Sequence, residues 1–199
     1  MSGEPGCAWP ACRSFAGCDK QGPCDLPEVD ATVRQRAAGG DDPGVSSDQY
    51  RAVMRRVAGS VSVILSGAPH ALVGMTVNSV VSVSLDPPLI LFCARAQSAS
   101  AASILEKGLF SVNLLSDEQQ LVSRYFAGGQ AEPPAFDLGS DGDHVWLERT
   151  VGSFLCSVDN VHRAGDHNII VGKIHRIIDN TSRPLPLVYR DGQYHSLAR

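Results

Sequence analysis

The chain has 199 residues, of which 43% are hydrophobic and 19% charged, as is typical of a globular protein with a sizeable core. The net charge is −4 and no run of Lys or Arg is present, so nothing indicates binding to nucleic acid or to an anionic membrane. No apolar stretch reaches the ~20 residues that span a bilayer. The N-terminus lacks the pattern of a secretory signal, so we expect a cytoplasmic protein.

Residues 1–45 differ in composition from the rest of the chain. They are rich in Gly, Pro, Ala and charged residues without a sustained apolar period, which predicts a disordered extension ahead of one domain at residues 46–199. The four cysteines of this segment are spaced more loosely than the C-x₂₋₄-C pairs of structural zinc sites, so incidental thiols are favoured over a metal or redox role. These cysteines are Cys7, Cys12, Cys18 and Cys24.

The first predicted elements of the domain are a helix and a series of strands. Ser46 and Gln49 form a capping box, and the helix that follows stops at Gly59. Its apolar residues at helical spacing are Tyr50, Val53, Met54 and Val57. The β-rich runs that come next are "SVSVILSG", "HALVGMTVNSVVSVSLD" and "PLILFCA".

Two more helices are predicted in the middle of the chain. One extends from Ser100 to Lys107 and is ended by Gly108. The other has a capping box of Ser116 and Gln119 and an end at Gly128. Its predicted apolar face consists of Leu121, Val122, Tyr125 and Phe126.

The remaining segments predict a mainly β fold. A strand "LFSVNLL" separates the two helices, and a loop rich in Pro, Gly and Asp covers residues 129–143. The last strands are "VGSFLCSVDNVHRAG", "NIIVGKIHRIID" and "PLPLVYRDGQYHSL". Many strands, few helices and short connections favour an antiparallel barrel or sandwich over a doubly wound parallel sheet. Cys93 and Cys156 lie in apolar segments and are predicted to be small buried hydrophobes.

One strand carries unusually many small polar side chains. In "GMTVNSVVSVSLD", Thr76, Asn78 and Ser82 fall on one face and Ser79 on the other. This pattern fits a half-exposed strand whose hydroxyls meet water. It fits equally well a ligand wall, where short side chains allow close approach to a polar heteroaromatic group or a phosphate.

Two further stretches contain polar groups that could bind a ligand. Arg95, Ser98 and Ser100 surround the start of a short helix, so they could bind a phosphate, although a capped surface helix is the simpler interpretation. In "AGDHNIIVG", His167 enters an apolar strand directly after Asp166. It is either a core histidine bonded to the backbone or a donor that faces a cleft.

Several kinds of catalytic site have no support in the sequence. There is no G-x-G-x-x-G that follows a strand and opens a helix, no Walker loop, no nucleophile elbow and no pair of catalytic carboxylates. No set of metal ligands at suitable spacing accompanies His167, so no metal site is predicted. A pocket without an acid–base set is consistent with chemistry that a cofactor carries out.

Four segments in this order resemble the flavin reductase family, which has the FMN-binding split-barrel fold. They are "GMTVNSVVSVSLDPPLILFCAR", "FSVNLLSDEQQLVSRYFAG", "AGDHNIIVGKI" and "PLVYRDGQY". The resemblance implies an antiparallel split barrel, a homodimer, and FMN or FAD with NADH or NADPH as hydride donor. It also implies a partner monooxygenase that receives the reduced flavin by diffusion.

The resemblance assigns expected roles to particular residues. Arg95 and Ser100 are expected near the flavin phosphate, and Tyr194 near the dinucleotide. His167, with Asp166 in the "GDH" motif, is expected beside the nicotinamide as the catalytic position. Val80 stands where relatives usually have Phe, so the wall is less aromatic. The expected flavin wall comprises Thr76, Val77, Asn78, Ser79, Ser82 and Ser84.

The implied reaction is hydride transfer from C4 of NAD(P)H to N5 of the flavin, with His167 in a positioning role. A non-catalytic flavin carrier or sensor on the same barrel is the main alternative. An oxidase of the pyridoxamine-phosphate type is less consistent with the sequence, because it needs several basic side chains around a substrate phosphate. A regulatory metal site in the cysteine-containing extension is a third alternative.

Overall fold

The computed structural model describes residues 44–129 and 132–197. It contains three helices, α1 (Ser47–Met54), α2 (Ala99–Lys107) and α3 (Gln120–Phe126). The first six strands are β1 (Gly59–Ser60), β2 (Ser62–Ser66), β3 (Val73–Val77), β4 (Val81–Leu85), β5 (Pro88–Arg95) and β6 (Leu109–Leu114). The other six are β7 (Leu138–Asp141), β8 (His144–Leu147), β9 (Gly152–Ala164), β10 (His167–Asp179), β11 (Leu187–Arg190) and β12 (Gln193–Ser196).

Seven of the strands form one antiparallel sheet in the order β3-β2-β6-β9-β10-β5-β4. Two smaller sheets have the orders β1-β11-β12 and β7-β8, and every strand pair is antiparallel. The predicted mainly antiparallel β fold with a few helices is therefore confirmed. None of the described helices is long and apolar enough to cross a membrane.

Strand β2 lies between two hydrophobic cores. Its side chains alternate between faces, so Ile64 contributes to one core while Val63 and Leu65 contribute to the other. All five residues of β2 are buried, which explains its nearly continuous apolar sequence. Burial on both faces fixes the register of β2, because a slip of one residue would exchange the two sets of side chains.

The ends of α1 and α2 follow local sequence signals. The Ser46 hydroxyl accepts a hydrogen bond from Gln49 N at 3.2 Å and the Gln49 side chain accepts one from Ser46 N at 3.1 Å, so the predicted capping box is present. Helix α2 begins at Ala99, one residue earlier than predicted, because Ser98 supplies the N-cap. It ends at Gly108, whose φ of 70° is the left-handed conformation that glycine adopts without strain.

Predictions around α3 and in the following loop were partly wrong. The helix begins at Gln120, and Gln119 N donates to Ser116 O rather than to the Ser116 hydroxyl, so only the glutamine half of the predicted capping box forms. Leu121, expected on the apolar face, is 57% exposed. The predicted loop at residues 129–143 contains β7, because that strand can pair with β8 through a turn at Gly142.

Helix α1 is amphipathic, but none of its own side chains is buried in the single chain. Its predicted apolar residues are all exposed: Tyr50, Val53, Met54 and, just beyond the helix, Val57. The extension predicted at residues 1–45, including Cys7, Cys12, Cys18 and Cys24, lies outside the described residues except for Gly44 and Val45. Its predicted disorder and the two interpretations of its cysteines stay predictions.

Candidate functional site in the seam between β3 and β5

A cavity of about 340 Å³ lies where the two ends of the large sheet approach each other. We call this gap between β3 and β5 the seam. Strand β3 is one edge of the seven-stranded sheet, and β5 is the neighbour of β4, the other edge strand. The residues that line the cavity are Met75, Thr76, Val77, Asn78, Ser79, Cys93, Ala94, Arg95, Ser98 and His167.

The hydroxyl groups of the predicted ligand wall bond to the protein itself. Thr76 Oγ1 donates to the carbonyl of Ser123 in α3 at 2.7 Å. Ser79 Oγ accepts from Cys93 N at 3.0 Å and donates to Cys93 O at 3.3 Å. Since both partners of the Ser79 hydroxyl lie on β5, this side chain connects the two walls of the seam.

The backbone of the seam has strand pairing on one side only. Strand β3 pairs with β2 alone, and β4 pairs with β5 no further than Leu91. The backbone groups on the outer edge of β3 therefore have no neighbouring strand, whereas on β5 the N–H and C=O of Cys93 are bonded by the Ser79 hydroxyl. An unpaired edge presents N–H donors and C=O acceptors at regular spacing, which suits a planar ligand with complementary polar edges.

Arg95 supplies positive charge at one end of the cavity, next to the start of α2. Ser98 caps this helix by accepting a hydrogen bond from Ala101 N at 3.2 Å, and it also lines the cavity. Arg95 and the N-cap of α2 therefore border the same cavity, an arrangement that favours an anionic group. The capped helix is present, and the phosphate-binding role of these residues stays a prediction.

His167 is the first residue of β10 and lies opposite Arg95 in the strand register. Its Nδ1 is 2.8 Å from Oδ1 of Asp166. The hydrogen bond to His167 is the main cause of a lowered pKa of the Asp166 carboxyl group, so Asp166 stays ionised over a wide pH range. Asp166 is exposed and does not line the cavity, whereas His167 does.

A scan against protein-family models matches residues 54–198 to the flavin reductase like domain. The chain belongs to the flavin reductase family. It is 31% identical over 163 residues to an NADH-dependent flavin reductase of a Rhodococcus species, with 80% of this chain and 92% of that protein covered.

Two further comparisons agree with membership of the flavin reductase family. The identity is 35% over 156 residues to HsaB, the reductase subunit of a flavin-dependent monooxygenase of Rhodococcus jostii, with 73% of this chain and 75% of HsaB covered. The solved structure of the flavin reductase PheA2 superposes with a TM-score of 0.73 and 30% identity over 78% of this chain and all of that one. The predicted split-barrel fold is confirmed.

Within this flavin reductase fold, some expected site residues lie away from the cavity. The single strand predicted for "GMTVNSVVSVSLD" was wrong: the chain leaves β3 after Val77 and forms β4 at the other edge of the sheet, so Ser82 and Ser84 lie on β4, and Ser100 lies inside α2. Tyr194, on β12, bonds through its hydroxyl to Ser123 Oγ at 2.9 Å. Because Ser123 O also accepts from Thr76, Tyr194 is connected indirectly to the expected flavin wall.

Other residues of the seam were missed or assigned differently from the sequence. Cys93 was expected to be a buried hydrophobe, but it is half-buried and lines the cavity, whereas Cys156 is fully buried as expected. Alternation along β5 places Cys93 on the same face as Arg95, a signal that could have located it. Val80 packs against the hydrophobic core instead of lining the cavity.

A larger cavity of about 580 Å³ lies elsewhere, near the end of β10, and none of the expected site residues lines it. In the described part of the chain, no three His, Cys, Asp or Glu side chains are grouped so that they could hold a metal ion.

Proposed function

We propose that this chain catalyses the reduction of FMN or FAD by NADH or NADPH and releases reduced flavin to a partner monooxygenase. The observation that carries the proposal is the seam cavity, where an unpaired strand edge, Arg95 and His167 face one space in a chain of the flavin reductase family. The related NADH-dependent flavin reductase and the HsaB subunit support both the reaction and the kind of partner.

The chemistry of the seam fits a flavin. The pyrimidine edge of the flavin ring carries N–H and C=O groups that match the backbone groups of residues 76–79. The phosphate matches Arg95 and the N-terminus of α2, which Ser98 caps. When bound, the flavin supplies the redox chemistry by accepting a hydride at N5 from C4 of the reduced nicotinamide.

The residues of the chain then have binding and positioning roles. The Ser79–Cys93 hydrogen bonds join the two walls of the seam, and the Thr76–Ser123 hydrogen bond attaches β3 to α3. His167 lines the cavity and would orient the carboxamide group of a bound nicotinamide, so that the reacting atoms come into line. No general acid is needed, in agreement with the lack of a carboxylate among the residues that line the cavity.

A second copy of the chain is the partner we propose for the exposed edge strand β4. Val81, Val83 and Leu85 are 53%, 47% and 74% exposed, and the register shift between Ser82 and Ser84 places Val81 and Leu85 on opposite faces of the strand. An edge strand with exposed apolar side chains favours association. We expect a dimer in light scattering after size exclusion, and a monomer for Val83→Glu. Thr181→Glu, which adds the same charge at an exposed position between β10 and β11, should stay dimeric. A monomeric parent protein would contradict the proposal.

The decisive experiment is a steady-state assay that crosses FMN and FAD with NADH and NADPH. We expect at least one pair to oxidise the nicotinamide far faster than free flavin does. A binding protein without turnover would show no such rate, and that result would refute the reductase assignment. Because reduced nicotinamides are supplied inside the cell, the predicted cytoplasmic location stays part of this proposal.

Arg95→Gln tests the assigned anion site in the same assay. Loss of one charge-assisted hydrogen bond corresponds to roughly 1.5–3 kcal/mol, so we expect the flavin KM to rise about tenfold or more. Lys173→Gln removes an exposed positive charge from β10, outside the cavity, and serves as the control. Equal effects of the two substitutions would show that Arg95 has no specific role.

A further inference from the structure

The two ring nitrogens of His167 have different surroundings. Nδ1 lies 2.8 Å from a carboxylate oxygen of Asp166, and an ionised carboxylate can only accept a hydrogen bond. Nε2 has no hydrogen-bond partner among the described residues, and the side chain lines the seam cavity. Of the two nitrogens, only Nε2 is available to a ligand.

The backbone holds Asp166 in place although its side chain is exposed. The Asp166 carbonyl accepts a hydrogen bond from Ala96 N at 2.9 Å, which attaches the tip of the hairpin to the end of β5. On the other side of the turn, Arg163 Nε donates to the Gly165 carbonyl at 2.9 Å. His167 is paired with Arg95 on one side and Ala164 on the other. The backbone positions of Asp166 and His167 are therefore fixed by strand pairing, and the 2.8 Å contact joins their side chains.

We propose that Asp166 is a positioning residue that holds neutral His167 as the Nδ1–H tautomer, so that Nε2 is a hydrogen-bond acceptor at the seam cavity. Asp166 was expected to contact the cofactor, but its position outside the cavity gives it an indirect role. His167 likewise becomes an acceptor, where the sequence suggested a donor. The group it orients must then carry an N–H, as the nicotinamide carboxamide does, and this last step rests on the proposed function.

The tautomer can be measured without any ligand or turnover. In ¹⁵N-labelled protein above the ionisation range of histidine, long-range ¹H–¹⁵N spectra distinguish protonated from unprotonated ring nitrogens, and His167→Gln identifies the resonances. We expect Nδ1 protonated and Nε2 unprotonated in the parent protein. Asp166→Ala should lose this preference. Asp166→Asn should also lose it, because the amide N–H can donate to an unprotonated Nδ1, whereas Asp166→Glu keeps a carboxylate that can only accept and should retain the preference. An Nε2–H tautomer in the parent protein would refute the assignment. So would an Asp166→Ala variant that keeps the Nδ1–H preference of the parent protein.

Kinetics then test the consequence for the nicotinamide. Loss of one hydrogen bond predicts a rise of about three- to tenfold in the NADH or NADPH KM of Asp166→Ala. We expect a smaller change in kcat, no change in the flavin KM, and recovery in Asp166→Glu, which keeps the carboxylate. Asp159→Ala, which removes another exposed carboxylate from the same hairpin, should behave like the parent protein. Equal losses in Asp166→Ala and Asp166→Glu would contradict the proposed role.

The two readouts separate the two proposals. If the spectra show the expected tautomer but no flavin and nicotinamide pair reacts, the proposed function fails and the positioning role of Asp166 stands. If turnover is observed while the tautomer does not depend on Asp166, the proposed function stands and the positioning role fails.

Discussion

Small polar side chains occur in two strand regions of this protein and act differently in each. In the core, Asn113 is fully buried and its side chain makes four hydrogen bonds of 2.9 Å. Its Nδ2 donates to Val63 O and Ser111 Oγ, and its Oδ1 accepts from Leu147 N and Ser153 Oγ. Every donor and acceptor of this amide is bonded within the protein, so the cluster joins strands and leaves nothing for a ligand.

The seam has hydroxyl groups that are just as fully bonded, yet it leaves backbone groups open. Thr76 and Ser79 direct their hydroxyls to Ser123 and Cys93, as the core residues do with their neighbours. The difference lies in the adjacent strands. Around Asn113, β6 is paired on both sides, by β2 and β9, whereas β3 is paired only by β2. An unpaired strand edge beside a cavity, rather than the polar side chains themselves, distinguishes the candidate site.

Replacing an asparagine with alanine in each region should give the largest difference in stability between the two regions. Asn113→Ala removes four buried hydrogen bonds and leaves their partners unsatisfied, so we expect a loss of about 3–5 kcal/mol in the free energy of unfolding. Asn78→Ala, at an exposed position of the seam, should change it by less than about 0.5 kcal/mol while raising the flavin KM. Urea denaturation measures both values. Equal stability losses would mean that the two regions do not differ as described.

The sequence predicted those features that depend on neighbouring residues. The capping box at Ser46 and Gln49 and the Gly108 end of α2 are local, and both were predicted correctly. The resemblance of four segments to flavin reductases predicted the split barrel. Four of the wall residues, with Arg95 and His167, line one cavity, and their roles stay predictions.

The sequence could not show where the hydroxyls of the wall would bond. The Thr76 hydroxyl bonds a carbonyl 47 residues away, and that of Ser79 bonds a residue 14 positions away. Such partners depend on how α3 and β5 pack against β3. For the same reason alternation alone left a ligand wall and a solvated strand equally supported. The Cys93 prediction failed because β4 pairs with β5 only as far as Leu91, so Cys93 lies beside a cavity rather than beside a further strand.

Cys156 offers a second test of the core, through pH. Burial raises the pKa of its thiol from 9.0 to about 12, so the folded state keeps the proton while the unfolded state loses it. The stability that this group contributes is fully present below pH 9.0 and is lost as pH rises toward about 12. Compared with Cys156→Ala, the parent protein should lose about 1–2 kcal/mol more between neutral pH and about pH 10.5.

Urea denaturation across this pH range measures that difference. Other groups that ionise at high pH are the same in both proteins and cancel in the comparison. Cys156→Val should have the same pH dependence as Cys156→Ala, although the two variants pack differently, because neither has an ionisable group there. Parallel curves for the parent and both variants would show that the Cys156 thiol is not held neutral by the core.

Ser79 belongs to both sides of the comparison, because it is a wall residue of the seam and also connects two strands as the core residues do. Ser79→Ala removes both bonds to Cys93, but water from the cavity can reach the freed backbone groups, so we expect a stability loss of only about 1 kcal/mol. The two walls would no longer be held together, so flavin binding should weaken about three- to tenfold.

Ser82→Ala is the matched control, since it removes an exposed hydroxyl from β4 that makes neither of these bonds. Urea denaturation and flavin titration should both leave it indistinguishable from the parent protein. If Ser79→Ala lowers stability as much as Asn113→Ala does, Ser79 acts as a core residue and the seam is closed without a ligand. If it changes flavin binding no more than Ser82→Ala does, the separation of the walls does not control the cavity, and the unpaired edge of β3 alone determines binding.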